Sequence, residues 1–149
     1  MDGRRRWGPR HWPSWLAVGL FGLLALLPFR QQVLLGRALG WLGYRLAWRR
    51  RAVARINLAL CLPDYDDSAR ERLAREHFAW LGVAVVSQGL AWRATPERLE
   101  RIVRLRHRER IDACLSAGRP VICLVPHFVG LELGSTAFSA LVHSGMYMY

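Results

Sequence analysis

The sequence contains no lysine: all 22 of its basic residues are arginine. That bias by itself assigns no function. Acidic residues are almost missing from the first 60 positions, where Asp2 alone faces eleven arginines, a local balance of +10. Residues 61–149 hold eleven arginines and ten acids, a balance of only +1. The basic excess therefore coincides with the most apolar part of the chain. Arginines beside apolar helices favour an anionic lipid surface, at roughly 1 kcal/mol per charge near the headgroups. Nucleic acid is not expected as a partner, because no stacking platform or helix-turn-helix pattern accompanies the charge.

Cysteine is scarce and odd in number. Cys61, Cys114 and Cys123 lack C-x-x-C spacing and a histidine at zinc-ligand distance, which argues against a disulfide framework and leaves no metal site expected. Reduced, mostly buried thiols in a cytoplasmic setting are the expectation. Low-complexity tracts are missing too, and with 52% apolar residues the 149-residue chain is neither disordered nor too short for its own core. Neither a G-x-S-x-G elbow nor a phosphate loop occurs, so a serine nucleophile on a strand-helix turn and a P-loop nucleotide site are both excluded.

Residues 1–30 carry Arg4, Arg5, Arg6 and Arg10, then Trp12 and Trp15, then an uncharged apolar run to Phe29. No small-x-small cleavage site follows Leu23-Leu24-Ala25-Leu26-Leu27, so an uncleaved membrane anchor is expected rather than a signal peptide. Its apolar face would be carried by Trp15, Leu16, Leu20, Phe21, Leu24 and Leu27. A continuous helix from Trp12 to Phe29 would measure about 27 Å, marginal against a hydrocarbon core of about 30 Å. Such a segment spans the bilayer or lies partly embedded in it, with a buried soluble helix as the alternative. The seven arginines from Arg30 to Arg55 outnumber the four before the segment, which orients everything after Phe29 to the cytoplasmic side.

Residues 31–60 form an expected basic, membrane-proximal helical region. Val33, Leu34, Leu35, Leu39, Trp41, Leu42 and Leu46 predict an amphipathic helix from Gln31 to Trp48, and Gly36, Gly40 and Gly43 permit a close helix approach. That helix lies either along the bilayer surface or against a soluble core. Residues 61–149 read as the first part of an incomplete catalytic domain. Ser68 and Glu71 make a capping box for a helix to about Trp92, with Leu73, His77, Trp80, Leu81, Ala84 and Gln88 on one stripe and His77 read as a structural histidine. Thr95-Pro96-Glu97 opens another short helix. Ile102–Arg106 alternates like a strand, Arg108–Ser116 reads as a helix stopped by Gly118, and Pro120–Val125 reads as a strand covered on both faces. A helix from Phe128 to Val142 and a strand beginning near Met146 complete the order. The expected fold class is α/β, with helices packed on a mixed sheet.

The polar cluster placed where α/β enzymes carry their sites is His127 through Glu132. The bare H-x-x-x-x-E spacing is weak evidence. Residues five apart on a regular helix point about 140° apart, so the two meet only if the chain turns between them. Pro126 and Gly130 allow such a strand-to-helix corner. A neutral histidine held by a carboxylate is suited to taking a proton from an alcohol that attacks an ester or thioester. The acid would fix the tautomer and stabilise the imidazolium. The alternative leaves His127 as a capping residue and Glu132 as a solvated one.

Pro126-His-Phe-Val-Gly-Leu-Glu-Leu-Gly134 resembles the H-x-x-x-x-(D/E) block of the lipid A biosynthesis acyltransferases, particularly their lauroyl-transferring branch. Arg55-Ile-Asn-Leu-Ala-Leu-Cys-Leu-Pro63 is similar to that family's R-x-N-L-x-x-C-F-P segment, with Leu62 where Phe is usual, and Gly89-Leu-Ala-Trp92 follows in the family's order. The resemblance implies a bacterial inner-membrane enzyme whose catalytic part faces the cytoplasm. It would move a fatty acyl chain from acyl carrier protein to a hydroxyl of a lipid A precursor, with His127 as general base and Glu132 as its partner. No cofactor is implied beyond the acyl carrier protein thioester. Acyl carrier protein, the lipid A precursor and anionic membrane lipids are the implied partners. Family members are about twice as long, and their Tyr-Arg-Pro-Asn-type segment, with a substrate-binding arginine, falls just after Tyr149, so an N-terminal fragment is expected. Other readings stay open: another glycolipid or a lysophospholipid as acceptor, or a noncatalytic membrane-bound remnant.

Overall fold

The computed structural model describes residues 8–144, and these divide into two compact units, 8–90 and 91–144. Arg4, Arg5, Arg6 and the strand expected near Met146 lie outside the described residues. A 3₁₀ turn, Pro9–His11, leads into α1 (Trp12–Leu24). There follow α2 (Phe29–Leu46), α3 (Trp48–Cys61), α4 (Asp67–Val86), α5 (Gln88–Arg93), α6 (Pro96–Ile102), α7 (Arg108–Ser116) and α8 (Leu131–Leu141).

Among the described residues every element is helical, which overturns the α/β expectation with helices on a mixed sheet. The run Pro120–Val125 has no regular structure, and Ile122 and Leu124 stand 96% and 98% exposed. An apolar run becomes a strand only when a neighbour accepts its backbone hydrogen bonds and covers its faces, and no described segment does either. Ile102–Arg106 fails in the same way: Ile102 closes α6 and residues 103–106 have no regular structure.

The anchor expected between Trp12 and Phe29 is also corrected. The α1 helix stops at Leu24, because the chain turns through Ala25–Leu27 ahead of Pro28, which disfavours helix in the residue before it. Thirteen residues rise only about 20 Å. No helix among the described residues is long and apolar enough to cross a membrane. Trp15, Leu16 and Leu20 are exposed, whereas Phe21, Leu24 and Leu27 are partly covered. The cover comes in part from Gly89, where a Cβ would sit 2.5 Å from the Phe21 carbonyl carbon.

The first unit is organised by α2 against α4. Gln32, Gly36, Gly40 and Tyr44 form the buried face of α2, and Ala74, Phe78, Ala79, Gly82, Val83 and Val86 that of α4. The contact is backbone on backbone: a Cβ on Gly36 would lie 2.7 Å from the Val83 nitrogen, and one on Gly40 would lie 2.6 Å from the Ala79 Cα. Close approach at small residues maximises dispersion contact between the two backbones. Gly43 does not share this role, since its added Cβ would meet only Phe78 Cδ1 at 3.9 Å.

Of the stripe expected on α4, Leu73, His77, Trp80 and Leu81 turn out to face outward, and Ala84 and Gln88 are partly covered. Leu73, Trp80 and Leu81 are 38%, 44% and 44% exposed, and His77 is exposed, edge-on to Phe78 at 6.0 Å. The expected capping box is absent as well. Asp66 is the N-cap and accepts from Ala69 N at 2.6 Å, while Glu71 is drawn into a tertiary network instead. Ser87 interrupts the helix short of Trp92, its hydroxyl donating to the Val83 carbonyl at 2.8 Å. Tyr44, Ala74 and Phe78 form a small core on which Ala47, Ala54 and Leu58 of the α2–α3 region close.

In the second unit α6 packs on α8, burying Leu99 and Ala137. Pro96 opens α6 and Gly118, at φ 65°, follows α7, both as the sequence predicts. The three cysteines are free, but Cys61 and Cys123 are exposed, which corrects their expected burial.

Candidate active site

His127 lies in the irregular segment that precedes α8, and its side chain is exposed. Gly130 makes the corner. It is the N-cap of α8 with φ 92° and ψ 4°, a left-handed conformation that a side chain disfavours by about 1 kcal/mol. Nothing lies within 4 Å of a Cβ built there, so backbone conformation and not crowding selects glycine. The helix therefore begins at Leu131, three residues later than the sequence predicts, and Glu132 sits in its first turn. A carboxylate there is favoured by the helix N-terminus.

The turn that the spacing demands between the two residues is thus present. No hydrogen bond or ion pair joins His127 to Glu132 among the described residues, and both side chains are exposed. Pro126 and Phe128 beside the histidine are exposed too. The arrangement sets an imidazole and a carboxylate on the two sides of a glycine pivot, without joining them.

A second polar constellation, in the first unit, was not anticipated as a site. Tyr44 donates a short hydrogen bond to Glu71, and Arg55 and Arg75 donate to the same carboxylate at 2.9 and 3.1 Å. Arg55 also donates to the Tyr44 hydroxyl at 3.0 Å. The Tyr44 hydroxyl above all, and then Arg75 and Arg55, hold the Glu71 carboxyl at a pKa of about 2, against the opposing effect of its partial burial. Arg55 is the arginine of the R-x-N-L segment, so that motif is occupied structurally, with Leu58 on the core and Asn57 exposed. Around this network α2, α3 and α4 frame an open groove of about 570 Å³. The only sequence signal for it was the arginine excess of residues 31–60, which gives no hint of which side chains converge.

Residues 4–148 match the family described as bacterial lipid A biosynthesis acyltransferase. Among curated proteins, the chain is 32% identical over 126 residues to a lipid A biosynthesis palmitoleoyltransferase of Escherichia coli (strain K12), covering 85% of this chain and 41% of the relative. It is 31% identical over 130 residues to the lauroyltransferase of the same organism, covering 87% and 42%. Against the lipid A biosynthesis myristoyltransferase of that organism the identity is 37% over 123 residues, covering 80% and 37%. No solved structure gives a significant match. The chain spans about two fifths of the length of these relatives. With the match running nearly end to end and including the His127 to Glu132 block, the chain belongs to the bacterial lipid A biosynthesis acyltransferase family.

Proposed function

We propose that these residues serve transfer of a fatty acyl chain from an acyl carrier protein thioester to a hydroxyl of a lipid A precursor. The observation that carries this reading is the family match across residues 4–148, which includes a histidine and a carboxylate on the two sides of the left-handed Gly130. In the reaction, His127 accepts the proton of the acceptor hydroxyl as its oxygen attacks the thioester carbonyl. Glu132 stabilises the resulting imidazolium. The tetrahedral intermediate collapses, the carbon–sulfur bond breaks, and the imidazolium returns the proton to the departing thiolate. The two side chains close about the Gly130 pivot when the acceptor is bound, in keeping with the loose geometry common at unliganded sites.

We place the enzyme at the cytoplasmic face of the bacterial inner membrane, with α1 lying on the membrane surface. Support comes from α1, whose Trp12, Leu16, Leu20 and Leu23 recur at helical spacing and are 61%, 73%, 56% and 65% exposed. The basic charge of residues 1–60 would add attraction to anionic lipids.

The test is transfer of a labelled acyl group from acyl carrier protein to a lipid A precursor, with His127→Ala beside the unaltered enzyme. Loss of about 10²- to 10⁴-fold is expected. Turnover retained in the variant, or transfer only to other glycolipid or lysophospholipid acceptors, would refute the assignment.

A further inference from the structure

The groove framed by α2, α3 and α4 carries more positive charge than its own carboxylates neutralise. Five arginines and two glutamates line it. Arg37 takes Glu76 through two hydrogen bonds of 3.0 and 3.2 Å, and Arg55 and Arg75 share Glu71. Arg45 and Arg51 are left without a carboxylate among the described residues.

Both remaining guanidinium groups are nonetheless held in place. Arg45 lies over the Trp41 ring at 4.6 Å from its centroid. Arg51 donates to the Tyr44 carbonyl at 3.0 Å and lies over the Tyr44 ring at 5.2 Å. A ring beside a guanidinium restrains it while leaving N–H donors free, those of Arg45 and the ones Arg51 does not give to Tyr44, and such donors suit recognition of a phosphate. Two such cations facing one groove repel each other, and an anion between them removes that cost.

The surroundings indicate what carries the anion. Trp41, which lines the groove, is 58% exposed. A free phosphate makes no use of an exposed indole, whereas a lipid presents apolar chains next to its charged headgroup. We infer that the groove binds the phosphate of an anionic lipid headgroup through Arg45 and Arg51. The inference rests on the membrane-surface reading and is independent of the chemistry assigned to His127.

The experiment is co-sedimentation of the protein with phosphatidylcholine vesicles containing phosphatidate, at about 0.5 M salt, where the Debye length is about 4 Å and diffuse attraction is screened. Replacing both groove arginines (Arg45→Gln with Arg51→Gln) should weaken binding about tenfold, the scale expected for loss of a bidentate charge-assisted contact. Arg49→Gln with Arg50→Gln removes equal charge outside the groove and should change binding less than about threefold. Arg45→Gln alone, at an exposed position, should reproduce most of the loss and guards against a folding defect caused by Arg51.

Equal losses in the two double variants would overturn the site and leave membrane binding standing. Absence of vesicle binding by the unaltered protein would overturn the site and the membrane reading together, whatever the transfer assay gives. Displacement from the vesicles by inorganic phosphate alone would reassign the groove to free phosphate. Binding of acyl carrier protein that depends on Arg45, with vesicle binding untouched, would reassign it to an acidic protein and equally overturn the inference.

Discussion

Gly82 of α4 lies directly against Gly40 of α2: a Cβ built on Gly82 would fall 2.6 Å from the Gly40 backbone nitrogen. No rotamer change relieves such a clash, because both partners are backbone. Gly82→Ala should therefore destabilise the protein by about 2–3 kcal/mol, as overpacking does, despite alanine's better helix propensity. Gly43→Ala, where the added Cβ would make only an ordinary contact with Phe78 Cδ1 at 3.9 Å, should be neutral or stabilising by up to about 1 kcal/mol. Urea unfolding of the two variants checks the contrast, and equal midpoints would contradict the close crossing.

This crossing illustrates what the sequence made legible. Glycines at four-residue spacing on an amphipathic stretch identify a close-approach face without showing its partner, and Gly36 and Gly40 fulfil that role. The partner face on α4 is not legible for a related reason. Helical periodicity favours the large apolar residues Leu73, Trp80 and Leu81, but a helix crossing on glycine selects small ones, Ala79 and Gly82. The strands failed on pairing: Ile122 and Leu124 have strand-like composition, and composition cannot supply a neighbour. His127 and Glu132 were legible as a motif, and Gly130 as the pivot between them. The groove was not, since Arg45, Arg51 and Glu71 come together only through the packing of three helices.

Glu71 gives the protein an acid-sensitive element. Its carboxyl is held at about 2, below its ordinary 4.5, first by Tyr44 and then by Arg75 and Arg55. A depressed folded-state pKa contributes stability that is fully present above the unfolded value and is lost as pH falls through the folded one. Stability should thus decline between about pH 4.5 and about pH 2. Glu71→Gln should cost about 2 kcal/mol at neutral pH and flatten that decline. Unfolding free energy followed against pH in both proteins reads the difference, and parallel curves would contradict the network's role.

The proposed placement of α1 on a membrane surface makes a prediction about depth. Trp12 and Trp15 stand at the start of a helix that rises only about 20 Å, so on vesicles their fluorescence should be quenched by shallow brominated lipids and little by deep ones. Leu16→Glu with Leu20→Glu should reduce vesicle binding, because both side chains are on the exposed stripe. Strong quenching from the bilayer centre would mean that the segment inserts.

Gly130 should be sensitive to substitution out of proportion to its surroundings. Gly130→Ala meets no atom within 4 Å, yet forces a side chain into φ 92°. The expected cost is about 1 kcal/mol in stability, with a larger loss in transfer rate because the corner sets where Glu132 stands relative to His127. Stability and rate measured on the same variant separate the two effects, and an unaltered rate would remove Gly130 from the site.

The central claim is that His127 and Glu132 act as one base, and a kinetic double-mutant cycle in acyl transfer tests it most directly. His127→Ala and Glu132→Gln should each lower the rate by orders of magnitude, and the double variant should be no slower than His127→Ala alone, since the acid works only through the imidazole. Losses that multiply in the double variant, or transfer that survives His127→Ala, would contradict the account.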